Sequence, residues 1–124
     1  MENSSHELID AVFASQKQFF ATGATLSVDY RKARLDAFAR GMKKWEQPLY
    51  DALWTDLHKS HEEAFLTEIS IVLGEIRTAR KKVASWARRE MCMPKMAVLP
   101  SMSYVVKEPL GTALIVSPWN YPVQ

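Results

Sequence analysis

The chain has 124 residues, of which 48% are hydrophobic and 24% are charged. This length fits one small domain, and the apolar content excludes a wholly disordered chain. The 16 Lys and Arg residues and 14 Asp and Glu residues leave a formal charge of +2, which gives no field to attract nucleic acid or an anionic membrane. A single cysteine, Cys92, excludes an internal disulfide and a multi-cysteine zinc site.

The sequence contains no sign of a membrane segment or a secretory leader. No apolar run approaches the roughly 18 residues that a membrane helix needs. The N-terminus lacks the basic start and the apolar core of a secretory signal. These features predict a soluble protein of a reducing compartment, and the cytoplasm is the expected location.

The first part of the chain is typical of helices, because Pro is absent until Pro48 and the whole chain has only 4 Gly. Ser4 and Glu7 have the spacing of a capping box, and apolar residues follow at helical intervals. This pattern predicts a first helix over about residues 5–21. Ser27 is the expected cap of a second helix, whose apolar residues also recur every three or four positions.

Two further helices are predicted before the composition changes. Pro48 fits the first turn of a third helix, and the expected inner face is Leu49, Leu53 and Leu57. Ser60 and Glu63 repeat the capping-box spacing and predict a long helix that runs to about Arg89. Such a helix would be roughly 45 Å long, which exceeds the roughly 28 Å diameter of a domain of this size. The helix is therefore expected to lie along a larger body.

The last part of the chain has a different character. Pro94 ends the helical pattern, and the β-forming residues that follow predict a strand over about residues 102–108. The continuous apolar run at 112–116 predicts a strand covered on both faces, as in a parallel sheet. The polar and aromatic loop at 117–122 follows the carboxyl end of this strand, where ligands bind in open α/β sheets. A parallel strand needs a crossover and a neighbour, so we expect this chain to be the N-terminal piece of a longer α/β protein.

A family resemblance becomes specific at this point. Residues 108–122, EPLGTALIVSPWNYP, resemble the EPLG…PWNYP segment of aldehyde dehydrogenases. Residues 56–59, DLHK, are similar to the class 3 branch, which includes fatty and aromatic aldehyde dehydrogenases. The order of the helices, with a long helix that contains Glu68, also resembles that branch. The resemblance covers nearly the whole chain.

The resemblance implies a mainly α chain with a short β portion, forming the N-terminal part of an α/β Rossmann-like fold. Residues 1–93 would be the helical region. Residues 94–109 would hold a connector and a strand of the oligomerisation sheet, so the intact enzyme is expected to be a homodimer. Residues 110–124 would be the first strand and loop of the dinucleotide-binding domain.

The resemblance also implies a reaction and its residues. The family oxidises a small-molecule aldehyde to a carboxylic acid through a cysteine thioester, with NAD or NADP as cofactor. Asn120 matches the residue whose side-chain amide stabilises the oxyanion, and Tyr121 matches an aromatic position that lines the aldehyde tunnel. The resemblance also places the end of this strand against the nicotinamide side of NAD(P), largely through backbone contacts. The matching residues are Val116, Ser117, Pro118 and Trp119. The residues that select the aldehyde, or NAD over NADP, are not indicated here.

The family's catalytic cysteine and general-base glutamate have no match in this chain. Cys92 lies between two methionines in no matching motif, so it is not expected to be the nucleophile. We therefore predict that the 124-residue chain alone is inactive.

Simpler interpretations stand beside these. Asn120 is also a common turn residue. His58 and His61 could suggest a metal site, but no third ligand is indicated, and polar residues around a helix cap are favoured. The basic residues near the end of the long helix are typical of a solvated face. Cations are also favourable near the C-terminus of a helix. The alternative to the enzyme interpretation is a self-contained helical interaction module without enzymatic activity.

Overall fold

A computed structural model of the chain describes residues 4–124. Its helices are α1 (His6–Ala21), α2 (Val28–Lys44), α3 (Glu46–Leu57), α4 (His61–Ala64) and α5 (Ser70–Trp86). A π-helical turn at Phe65–Ile69 joins α4 to α5, and short 3-10 turns lie at Ala24–Leu26 and Met96–Val98. Strands β1 (Glu90–Cys92) and β2 (Ser103–Val105) form a small antiparallel sheet. The prediction of a mainly helical chain with a short β portion is confirmed.

Serine side chains begin the helices at three places. The hydroxyl of Ser27 accepts the backbone N–H of the third residue after it, at 3.2 Å, and the hydroxyl of Ser60 does the same at 3.2 Å. Both predicted caps are confirmed. At α1 the cap is Ser5, which accepts from the N–H of Leu8 at 3.2 Å, and the prediction of Ser4 was wrong by one position. The helix begins one residue later than that capping box implied, because Ser5 has the extended backbone that a cap requires.

The core lies where α2, α3 and the long helical run meet. Helix α2 packs mainly against α5, and the buried apolar cluster is Met42, Tyr50, Leu53, Ala64, Ile69 and Ile76. Leu53 lies on the inner face of α3 as predicted, whereas Leu57 is exposed because it is the last residue of that helix. Helix α1 contributes no buried residue. Its apolar stripe is therefore not covered within the described part of the chain.

The long helix ends earlier than predicted. The helical run stops at Trp86 rather than about Arg89, and Glu90–Cys92 forms β1 in place of the expected helix end and plain connector. In the antiparallel pairing Glu90 lies opposite Val105. The predicted strand at 102–108 is reduced to Ser103–Val105, because strand hydrogen bonds extend only as far as this three-residue partner reaches.

The apolar run at 112–116 forms no strand within residues 4–124. The side chains of Leu114, Ile115 and Val116 are 90%, 85% and 80% exposed. A buried strand needs hydrogen-bonding neighbours on its edges and cover on its faces, and the described residues supply neither. The strand predicted here stays a prediction. Among the described helices, none has the length and apolar character required to cross a membrane.

Candidate active site

The loop that carries Asn120 is a closed turn. The backbone N–H of Tyr121 donates to the carbonyl oxygen of Pro118 at 3.1 Å, which places Trp119 and Asn120 at the centre of the turn. The side chain of Trp119 is 92% exposed, and Asn120 is also exposed. The proline fixes its own φ, which favours a single loop conformation. Both central residues of the turn are therefore open to solvent within the described part of the chain.

The end of α3 forms one side of the support beneath this loop. His58 ends the helix with φ 53°, in the left-handed region, and its N–H donates to the carbonyl oxygen of Trp54 at 2.9 Å. The next N–H, that of Lys59, reaches back to the carbonyl oxygen of Leu53 at 3.4 Å. A left-handed residue with such back-bonds is a common helix ending. Because Ser60 then caps the next helix, Lys59 is fixed between two helix ends.

Lys59 and Glu68 form a buried ion pair. The Nζ atom of Lys59 lies 2.6 Å from Oε1 of Glu68, and the two side chains are 9% and 0% exposed. Glu68 belongs to the π-helical turn, a rare geometry that is frequent at functional sites. A buried charge is costly unless it is paired and hydrogen-bonded. Each of these two charges is the partner of the other.

The same ion pair holds the loop by its main chain. Lys59 Nζ donates to the carbonyl oxygen of Asn120 at 2.7 Å, and Oε2 of Glu68 accepts the N–H of Val123 at 2.8 Å. The ammonium also lies 3.9 Å from the ring centroid of Tyr121, within cation–π distance. Val123 packs against the apolar core. The loop is therefore attached on both sides of Tyr121, and the attachments leave the side-chain amide of Asn120 exposed.

The aromatic contacts beside the pair involve both histidines. The ring of His61 lies 3.8 Å from that of Tyr50, and His58 lies 5.6 Å from the ring of Trp54. Tyr50 donates to a Glu46 carboxylate oxygen at 2.8 Å. Burial, helped by this carboxylate, raises the pKa of Tyr50 to about 12. Residues 4–124 contain no group of three or more His, Cys, Asp or Glu side chains placed to hold a metal ion.

The residues that the resemblance assigns to the cofactor lie on one exposed stretch. Val116 is 80% exposed, and neither Val116 nor Ser117 makes a hydrogen bond within residues 4–124. Their main-chain groups have no hydrogen-bond partner among the described residues. Pro118 and Trp119 continue this stretch into the turn.

Two other features lie apart from this loop. Cys92 is half-buried in β1, with its Sγ atom 3.9 Å from the carbonyl oxygen of Glu90. A groove of about 770 Å³ lies between the helices and residues 107–111, and its apolar walls include Phe20, Tyr30, Leu35, Phe38, Val83 and Trp86. No residue of the Asn120 turn lines it. The groove is therefore not the site that the loop serves.

The ion pair has one local signal in the sequence, the position of Glu68. Glu68 lies four residues before Val72 and eight before Ile76, so it occupies the apolar face of the long helix. A carboxylate on such a face needs a buried partner. The partner, Lys59, belongs to the DLHK segment, and its position near a helix end does not indicate burial. The loop contacts of both residues depend on a fold that brings together positions up to 61 residues apart.

The fold and this loop define an aldehyde dehydrogenase segment, and the chain belongs to the aldehyde dehydrogenase family, whose sequence profile matches residues 1–124. Among its relatives is the 4,4'-diaponeurosporen-aldehyde dehydrogenase of Staphylococcus aureus, 38% identical over 117 residues, which are 94% of this chain and 26% of that protein. The aldehyde dehydrogenase family 3 member B1 of Bos taurus is 37% identical over 107 residues, which are 86% of this chain and 23% of that protein.

A solved structure has the same fold. The Staphylococcus aureus AldH, described as a substrate-bound state, matches with a TM-score of 0.91 and 39% sequence identity, over 94% of this chain and 25% of that one. The chain therefore spans about a quarter of the length of these relatives. The predicted membership of the aldehyde dehydrogenase family is confirmed, and so is the predicted similarity to its class 3 branch.

Proposed function

We propose that this chain is the N-terminal portion of an NAD(P)-dependent aldehyde dehydrogenase, which oxidises an aldehyde to a carboxylic acid through a cysteine thioester. The observation that carries the proposal is the exposed side-chain amide of Asn120, on a turn whose backbone carbonyl is held by Lys59 at 2.7 Å. Membership of the aldehyde dehydrogenase family supports the reaction class. The cysteine and the general base would come from outside these 124 residues.

Asn120 supplies an electrophilic donor in this proposal. When a thiolate attacks an aldehyde, the carbonyl oxygen becomes an alkoxide. A neutral amide N–H that is already in position stabilises this charge without costly reorganisation, and removal of one such donor typically lowers kcat by about 10²- to 10³-fold. Asn fits this role because its amide donates without a charge of its own at neutral pH.

The neighbouring residues would hold the cofactor and the substrate. Val116, Ser117, Pro118 and Trp119 would meet the nicotinamide side of the cofactor largely through their main chains, while the Pro118 carbonyl oxygen also closes the turn by accepting the N–H of Tyr121. NAD or NADP, when bound, supplies the group that accepts the hydride. Tyr121 is 37% exposed beside the Lys59 ammonium, and its exposed part would line the path of the aldehyde.

The assembly and location are further parts of the proposal. Strand β2 is exposed along its whole length, and an exposed strand edge is a template for pairing with another chain. We expect the intact enzyme to form a homodimer with this sheet at the interface. We expect the enzyme to act in the cytoplasm.

The test uses the full-length protein translated from the reading frame that contains this chain. Formation of reduced cofactor from an aldehyde is followed by absorbance for the unsubstituted enzyme and for Asn120→Ala. The proposal predicts a kcat about 10²- to 10³-fold lower in the variant, whereas Gln124→Ala, a matched exposed amide four residues later, keeps its rate. A frame that stops at Gln124 would overturn the enzyme proposal in favour of the helical interaction module. An Asn120→Ala enzyme with full kcat would overturn the role of Asn120.

A further inference from the structure

We propose that Lys59 and Glu68 are positioning residues, which fix the Asn120 amide by clamping both sides of its loop to the helical core. This inference rests on the proposed function, because it assigns the pair a role in that same site. The juxtaposition that carries it is one buried ion pair with two main-chain bonds, to the Asn120 carbonyl oxygen and the Val123 N–H. Neither residue touches a reacting atom in this proposal.

The geometry of the clamp suits positioning better than structural support alone. The pair uses one oxygen and one N–H of the loop backbone, so it restrains the Cα of Asn120 without occupying its side chain. The contacts lie on both sides of Tyr121, at Asn120 and at Val123, and restrict rotation of the loop as well as its translation. A fixed donor is what stabilisation of an oxyanion demands, since a misplacement of about 1 Å typically costs about a hundredfold in rate.

The burial of the pair explains why a charged clamp is stiff. The Lys59 and Glu68 side chains are 9% and 0% exposed, so water does not compete for their hydrogen bonds. Electrostatic bonds are stronger in such a low-dielectric setting than at the surface. The clamp is also anchored to two helix ends and a π-helical turn. Motion of the Asn120 turn therefore requires breaking charged hydrogen bonds inside the protein.

A pair of variants separates positioning from folding. Lys59→Met leaves the Glu68 carboxylate buried without its cation, so the variant loses both the clamp and stability. The double variant Lys59→Met with Glu68→Leu replaces both charges by apolar side chains of similar size. Such replacements of a buried pair are often neutral or stabilising. The double variant thus keeps the fold and still lacks the two bonds to the loop.

The experiment measures kcat and KM of the full-length enzyme with an aldehyde, together with amide hydrogen exchange of a peptide covering residues 117–124. We expect both Lys59→Met and the double variant to lose about a hundredfold in kcat with little change in KM. We expect exchange within residues 120–123, at the hydrogen-bonded N–H groups of Tyr121 and Val123, to be about tenfold faster in both. Arg80→Met, which removes the cation of the exposed Arg80–Asp36 pair, is the matched control and should change neither quantity.

A double-mutant cycle with Asn120→Ala identifies the route of the effect. If the clamp acts through Asn120, Lys59→Met lowers kcat no more than about threefold further in the Asn120→Ala background. Full kcat in the double variant, independent effects in the cycle, or unchanged exchange at 120–123 would each overturn the clamp. Full kcat in Asn120→Ala alone would instead overturn the proposed function, and the exchange measurement would still decide whether the clamp exists.

Discussion

Glu68→Leu tests how much the buried pair contributes to the stability of the helical region. The substitution removes the carboxylate that pairs with Lys59, whose side chain is 9% exposed, and leaves the Asn120 carbonyl oxygen as the remaining hydrogen-bond acceptor of the ammonium among the described residues. Removing one partner of a buried ion pair typically costs about 3–5 kcal/mol. The leucine continues the apolar face of the helix, so no large cavity adds to this cost, but the Val123 N–H loses its acceptor, Oε2 of Glu68.

The assay is amide hydrogen exchange of the full-length protein, read at a peptide covering residues 65–76. A loss of about 3–5 kcal/mol corresponds to exchange that is about 100- to 4,000-fold faster where local opening governs exchange. Adding Lys59→Met to the leucine variant should return exchange close to that of the unsubstituted protein, because no uncompensated charge then remains. Unchanged exchange in Glu68→Leu, or no recovery in the double variant, would refute this reasoning.

The surface pair between Arg80 and Asp36 provides the comparison. Its side chains are 51% and 37% exposed, and the Arg80 guanidinium that bonds to Asp36 holds the pKa of that carboxyl below its usual value. Water and salt screen such exposed pairs, so they add little to stability. Arg80→Met should therefore leave the exchange of residues 65–76 close to that of the unsubstituted protein. The contrast separates the effect of burial from the effect of charge.

Three further outcomes are expected. The pKa of Tyr50 is raised to about 12, above the value of about 10 in an unfolded chain. The neutral phenol therefore contributes at most about 3 kcal/mol to the free energy of unfolding, and this contribution is present below pH 10 and is lost as pH rises toward 12. Urea unfolding should show that the free energy of unfolding decreases less between pH 9 and pH values above 11 in Tyr50→Phe than in the unsubstituted protein. Equal decreases in the two proteins would contradict this. The isolated chain should form no reduced cofactor with an aldehyde, and measurable turnover would disprove it. The isolated chain should also self-associate in sedimentation through exposed side chains such as Ile115, less so as Ile115→Asp, whereas a stable monomer would contradict it.

Local signals in the sequence were sufficient for most helices. Ser27 and Ser60 were predicted as caps because a serine hydroxyl, an extended backbone and a following apolar stripe are all local properties. The shift from Ser4 to Ser5 shows the limit of this approach, since two adjacent serines offer the same chemistry. The helix end at Trp86 was missed for a different reason. Strand β1 depends on pairing with residues 11 to 15 positions later, which periodicity cannot reveal.

The candidate site was predicted unevenly for similar reasons. Asn120 came from a resemblance to a motif, and the structure adds that its carbonyl is bound and its side chain is exposed. The loop support could not be predicted because it joins Lys59 and Glu68 to backbone groups near the end of the chain. Glu68 alone left a local trace, a charge on an apolar helix face. Lys59 could be identified as the partner of Glu68 only from the structure, because the left-handed turn at His58 sets the position of Lys59.

In the proposed full-length enzyme, the position of the proposed clamp within the sequence would affect the order of folding. The four groups that form these bonds lie between residues 59 and 123: two are the side chains of the ion pair, and two are backbone groups of the loop. During synthesis the earlier parts of a protein fold first, so these groups can meet while later residues are still on the ribosome. The Asn120 amide, as the proposed oxyanion donor, would then be in place before the proposed nucleophile is synthesised.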